Sequence, residues 1–240
     1  MRNELLLLAT LIFEYAGVVL SFKYLGRKGI FAWIAIASVL ANIEVTMLVN
    51  AFGIEMTLGN ILFASNFLAT DILSENFGKR QANLGVLIGL ISSVIFLVVS
   101  ASWLLYIPSA NDVSSLGIHE IFARTPRIVL ASVIVYAIAQ YMDIMIYHRI
   151  WEMTSRRFNM KSRLWLRNNV ATVIAQVINA ILYNILAFWG TYSMETIASI
   201  IVSNVLIYVV TSLADTPFLY MARLNKNENH DEGVEKEKQR

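Results

Sequence analysis

The sequence predicts an all-α, polytopic transmembrane helical bundle of six or seven spans, on three observations. Of 240 residues, 57% are hydrophobic and only 15% charged, against about a quarter charged in soluble chains. Mean hydropathy is +0.60. The apolar runs approach the roughly 20 residues that a helix needs to cross a hydrocarbon core about 30 Å thick. Basic residues, finally, are confined to alternate connections between those runs.

Seven stretches qualify, at approximately 4–22, 30–50, 57–77, 84–107, 128–151, 170–190 and 194–222. The third is the weakest, because Asn60, Asn66, Asp71 and Glu75 interrupt it. Charge placement decides for seven. Lys23, Arg27 and Lys28 follow the first span, Lys79 and Arg80 the third, and Arg149, Arg156, Arg157, Lys161, Arg163 and Arg167 surround the fifth connection. With a basic tail inside as well, only Arg2, Arg124 and Arg127 of the 19 basic residues lie outside, as the positive-inside rule requires. This sets the N-terminus outside and the C-terminus in the cytoplasm. The first stretch lacks a basic leader and a small-residue cleavage site and is read as a retained span. Residues 1–224 form a single transmembrane transport domain on this reading. Residues 225–240, rich in Asn, Glu and Lys, form a disordered charged cytoplasmic tail. In the long outer connection at 108–127, Leu116, Ile118, Ile121 and Phe122 suggest a short interfacial helix.

Cysteine is absent, which excludes disulfides, thiolate metal sites and cysteine nucleophiles. His119, His148 and His230 are too scattered for a metal triad, and no nucleotide-binding loop of the Walker type occurs. The expectation is no enzyme, no metal and no cofactor, and nucleic acid is not a partner. The expected partners are the lipid bilayer and a small solute.

Polar residues within lipid-length helices carry the functional signal, since a charge at mid-depth costs at least about 2.5–3.5 kcal/mol unless it faces a cavity or a partner. Ser132, Tyr136, Gln140, Asp143 and Tyr147 recur at steps of three and four, as do Asn169, Thr172, Gln176, Asn179 and Tyr183. Each set keeps to one helical face. Asp71 and Glu75 are one turn apart, and Glu14 and Glu44 add two further carboxylates. Ser, Thr and Asn stripes also glue helices together, at about 0.6 kcal/mol per bond, and Asp215 near a span end reads as solvated. Trp103, Tyr106, Trp151 and Trp165 read as interface anchors. Taken together the stripes describe a polar cavity of carboxylates, amides and tyrosines. Such a lining suits a small, flat, hydrogen-bonding solute such as a purine-like ring.

Residues Phe63 to Ala82 hold an aspartate (Asp71), three residues, a glutamate (Glu75), two residues, then Gly78 followed by Lys79 and Arg80. Arg127 leads into Ala131, Gln140 and Asp143, and Trp165, Arg167, Asn168 and Asn169 lead into Thr172, Gln176 and Phe188. In order and spacing these three blocks resemble the queuosine precursor transporter family, also called the VUT family, over roughly residues 40–215. The resemblance implies a multi-pass carrier in the bacterial inner membrane that imports 7-deazaguanine bases. The substrate-binding residues it implies are Asp71, Glu75, Gln140, Asp143, Arg167, Asn168, Asn169 and Gln176. Asn179 joins them as a departure, standing where many members carry aspartate. Uptake is driven by protons, by trapping downstream, or by a separate energy-coupling module at the cytoplasmic face. In the last case the chain is the substrate-binding subunit of a vitamin or nucleobase uptake system. A homo-oligomer is compatible with the sequence.

Overall fold

The computed structural model describes residues 2–123, 126–155 and 164–224. The tail at 225–240 and the basic residues Arg124, Arg156, Arg157, Lys161 and Arg163 lie outside them. Seven helices are described: α1 (Arg2–Glu44), α2 (Gly59–Phe77), α3 (Lys79–Trp103), α4 (Ser115–Ala123), α5 (Pro126–Ser155), α6 (Leu164–Phe188) and α7 (Met194–Leu224). Five of them are long and apolar enough to cross a membrane by length and composition.

Helix α1 supplies two passes, because it folds back on itself at Gly26. That residue has φ 59° and ψ −141°, a conformation essentially reserved for glycine. The two arms then run antiparallel. A β-carbon at Gly29 would lie 2.1 Å from the Ser21 carbonyl oxygen, and one at Gly17 would lie 2.5 Å from the Trp33 ring. Close approach of small residues is what holds helices together where lipid removes the hydrophobic drive. Gly29→Ala is therefore expected to lower the melting temperature of the purified protein, at a cost of about 1–3 kcal/mol. An unchanged melt would mean that the arms are held by other contacts.

Helix α2 is the seventh pass and the axis of the bundle. All residues from Gly59 to Glu75 except Phe63 are buried, and α1, α3, α5 and α7 all pack on it. Asn60, Asn66, Thr70, Asp71 and Glu75 thus meet protein instead of lipid, which explains why hydropathy alone undervalues this span. Its 19 residues reach about 28 Å at 1.5 Å each. The outer surface is the converse. Ile91, Val94, Ile95 and Val98 on α3, and Val202, Leu206, Val210 and Leu213 on α7, are exposed apolar rows at helical spacing, as expected of faces turned to hydrocarbon.

Successive connections alternate between the two ends. Asn3 Nδ2 donates to the Asn50 carbonyl at one end, while Phe22 and Arg27 meet the Phe77 ring at the other. The end holding Lys23, Arg27, Lys28, Lys79, Arg80 and Arg223 is the cytoplasmic one.

One feature departs from the simplest helical reading. The second pass ends at Glu44, and residues 45–58 instead carry a short antiparallel hairpin, β1 (Leu48–Ala51) and β2 (Ile54–Thr57), in which Leu48 pairs with Thr57 and Ala51 with Ile54. Its two-residue turn has positive φ at Phe52 (54°) and Gly53 (76°), the handedness that matches strand twist. The interfacial helix expected in the outer connection is α4, whose Phe122 packs edge-on against Phe96 and Trp103.

Candidate functional site

The polar stripes of α2, α5, α6 and α7 converge on a common axis, where they form three tiers. At the cytoplasmic end, Glu75 is held by two arginines. Arg167 Nη2 bonds Glu75 Oε2, and Arg223 Nε lies 3.1 Å from Oε1. The Tyr147 hydroxyl donates to Glu75 Oε2 (2.7 Å) and accepts from Arg167 Nε (3.1 Å). The Arg167 guanidinium also lies over the Trp151 ring, 4.4 Å from its centroid, a favourable cation–π geometry. Trp151 therefore serves this cluster rather than acting only as an interface anchor. Four helix ends are tied at one carboxylate.

One turn deeper lies the middle tier. Asp71, Asp143, Asn168 and Thr172 are all 0% exposed. The carboxyl groups of Asp71 and Asp143 are close enough to act on each other electrostatically. The Thr172 hydroxyl donates to Asp71 Oδ2 (3.3 Å). Asp215 corrects the sequence reading: it is 1% exposed rather than solvated, and it accepts from Asn168 Nδ2 at 2.7 Å. Its neighbour Thr216 accepts from Asn169 Nδ2 at 2.8 Å. Two residues on, Pro217 lies inside α7 and has no N–H to offer the Leu213 carbonyl. Directly above, Thr70 donates to Gln140 Oε1 at 2.9 Å, and Gln176 is 1% exposed.

Several buried polar atoms of this middle tier are unmatched. Both carboxylate oxygens of Asp143, Oδ1 of Asp71 and Oε1 of Gln176 are buried with no hydrogen-bond partner among the described residues, and so is the donor Gln140 Nε2. Buried polar groups are nearly always paired, because an unmet one costs about 1–3 kcal/mol and a charged one more. With Asn168 Oδ1, which is unmatched as well, five acceptors and one donor lie in and just above this tier, a set complementary to a donor-rich solute edge.

The outer tier contains Asn179, on the expected face of α6 but away from Asp143. Asn179 Nδ2 donates to the Tyr208 hydroxyl (3.2 Å), which donates to Asn60 Oδ1 (3.0 Å), and Asn60 Nδ2 reaches Asn204 Oδ1 (3.3 Å). This chain borders a small cleft of about 40 Å³.

The nine residues singled out from sequence thus divide. Asp71, Gln140, Asp143, Asn168, Asn169 and Gln176 occupy the middle region; Glu75 and Arg167 pair at the cytoplasmic end; Asn179 lies in the outer tier. Asp215, Asn60, Asn204 and Tyr208 were not singled out. Asp215, an acid inside an apolar register, and Asn60, a polar break in the third span, carried a signal.

Residues 57–222 match the family described as "Putative vitamin uptake transporter". The chain belongs to this family. It is 32% identical over 212 residues to the "Probable queuosine precursor transporter" of Bacillus subtilis (strain 168), covering 88% of this chain and 91% of that protein. It is 28% identical over 149 residues to the "Queuosine precursor transporter" of Escherichia coli (strain K12), covering 62% of each. No solved structure matches. The likeness read from the three sequence blocks is borne out, and the matched segment contains every residue of the three tiers except Arg223.

Proposed function

We propose that this protein is a carrier that imports queuosine precursors, the 7-deazaguanine bases, into the bacterial cytoplasm, binding them at the middle tier between α2, α5 and α6. The relatives named for this substrate support the class of solute. The observation that carries the reading is the cluster of unmet acceptors at Asp143, Asp71 and Gln176 beside the unmet donor of Gln140. A 7-deazaguanine ring presents an N–H and an amino group side by side, which pair with a carboxylate in bidentate fashion, and a neighbouring carbonyl that accepts from an amide. The role is transport and not catalysis, and the chain works by exposing this tier to each side of the membrane in turn. In that cycle Glu75, Arg167, Arg223 and Tyr147 close the cytoplasmic side, while Asn168 and Asn169 fix α6 against α7.

Competition for uptake tests this. Unlabelled 7-deazaguanine is expected to suppress uptake of a radiolabelled 7-deazaguanine base into proteoliposomes, whereas adenine, which lacks the adjacent donors, fails to compete at about 100-fold excess. A site built to pair such donors rejects a ring without them by at least that factor. Equal competition by adenine would overturn the assignment of Asp143 and Asp71 to the donor edge.

A further inference from the structure

The carrier reading leaves Asp215 without a role. It stands on α7, 1% exposed, two residues before Pro217, and close enough to Asp71 and Asp143 to act on both electrostatically. Its Oδ1 accepts from Asn168 Nδ2 at 2.7 Å. The other end of that amide, Asn168 Oδ1, is buried with no hydrogen-bond partner among the described residues. We infer that Asp215 is a positioning residue for solute selection: by taking the amino end of the Asn168 amide, it leaves the carbonyl end facing the solute as a fixed acceptor.

The argument turns on the chemistry of the two groups. An ionised carboxylate only accepts, whereas an amide donates from one end and accepts at the other. Opposite Asp215, Asn168 therefore has a single productive orientation, with Nδ2 toward α7 and Oδ1 away from it. The reversed amide would set oxygen against oxygen at Asp215. It would also turn a donor toward the middle tier. Asn168 is one helical turn from Thr172, whose hydroxyl bonds Asp71 Oδ2, and the unmatched oxygens of Asp71, Asp143 and Gln176 lie in that region. A donor among them would occupy an acceptor that the solute needs. The neighbouring amide shows what a purely structural partner looks like. Asn169 Nδ2 donates to the Trp165 carbonyl and to Thr216 Oγ1, both at 2.8 Å, and its Oδ1 accepts from Ser212 Oγ at 3.4 Å. Both of its ends are matched within α6 and α7, as is usual for a buried amide. Asn168 is matched at its amino end alone, and the remaining end is the one that a solute donor uses.

The proposal rests on the carrier reading above, and Asp215→Asn in proteoliposomes tests it separately. An asparagine at 215 can donate or accept, so α6 and α7 stay bonded while Asn168 is released to either orientation. The half-saturating concentration of 7-deazaguanine is expected to rise about tenfold, the worth of one hydrogen bond to the solute, with the melting temperature unchanged. 7-Deazaxanthine, which carries a carbonyl where 7-deazaguanine carries its amino group, is expected to gain. Its half-inhibitory concentration relative to that of 7-deazaguanine should fall at least about tenfold. Loss of packing would weaken both rings alike. Exchanging the pair, Asn168→Asp with Asp215→Asn, sets a fixed acceptor at 168 again and is expected to return the ratio to within about twofold of wild type. If the exchanged protein does not fold, the ratio in Asp215→Asn decides by itself. An Asp215→Asn protein that melts lower, or that keeps the wild-type ratio, would show that Asp215 only ties α7 to α6, and the carrier reading would stand. An exchanged pair that folds without restoring the ratio would overturn the proposal as well. If the wild-type protein imports no 7-deazaguanine base, both readings fall.

Discussion

Asp143→Asn is expected to reduce uptake of 7-deazaguanine bases at least about 100-fold while leaving the protein inserted and folded. Asp143 is fully buried, and both of its carboxylate oxygens lack a donor among the described residues. Its replacement therefore breaks no described hydrogen bond. What is lost is the pairing with the solute, two charge-assisted hydrogen bonds at about 1.5–3 kcal/mol each, so a loss of 10²-fold lies at the modest end. The amide is nearly the same size, which keeps the packing against α2. Uptake by proteoliposomes, together with the elution profile of the detergent-extracted variant, separates the outcomes. If Asp143→Asn transports normally, the tier is structural; if it aggregates, its carboxylate serves packing.

The opposite pattern is expected one turn away. Glu75→Gln should damage stability first, because it leaves the Arg167 guanidinium, whose side chain is 3% exposed, without its anionic partner. Removing one member of a buried ion pair costs about 3–5 kcal/mol. At roughly 2–4 °C per kcal/mol for a chain of this size, the melting temperature should fall by about 10 °C. Arg167→Met should cost less, since Arg223 and Tyr147 still meet Glu75. Combining Glu75→Gln with Arg167→Met should restore part of the loss, so that the double variant is less damaged than the two single losses added together. Thermal unfolding of all four proteins measures this directly. Full additivity would show that the two side chains do not act as a pair.

The contrast between Asp143 and Glu75 marks how far the sequence could be read. Both are acids at helical spacing inside apolar runs, and periodicity correctly sets each on the inner face of its helix. Their partners are another matter. Glu75 meets Arg167 across 92 positions of chain, and nothing local to either residue records that distance. Seven passes were legible because basic residues alternate between connections, a signal that survives where hydropathy fails for α2. The central place of α2 was only implicit in its polar residues, which lipid would not tolerate. Asp215 was misread because an acid near a span end is usually hydrated; here Asn168, brought over from α6, covers it. Asn179 shares a face with Gln176 and Thr172, yet it lies one turn too far out to reach their carboxylate neighbours. The β1–β2 hairpin escaped notice because its turn is Phe52-Gly53 and not the Asn-Gly or Asp-Gly pair that commonly marks such turns.

The central claim is that side chains of α2, α5 and α6 jointly hold the donor edge of one ring. An experimental structure with a bound 7-deazaguanine base tests it most directly. The ring is expected with its N–H and amino group on Asp143 and Asp71, and its carbonyl toward Gln140. A ring seated elsewhere, with Asp143 and Asp71 still facing only each other, would contradict the account.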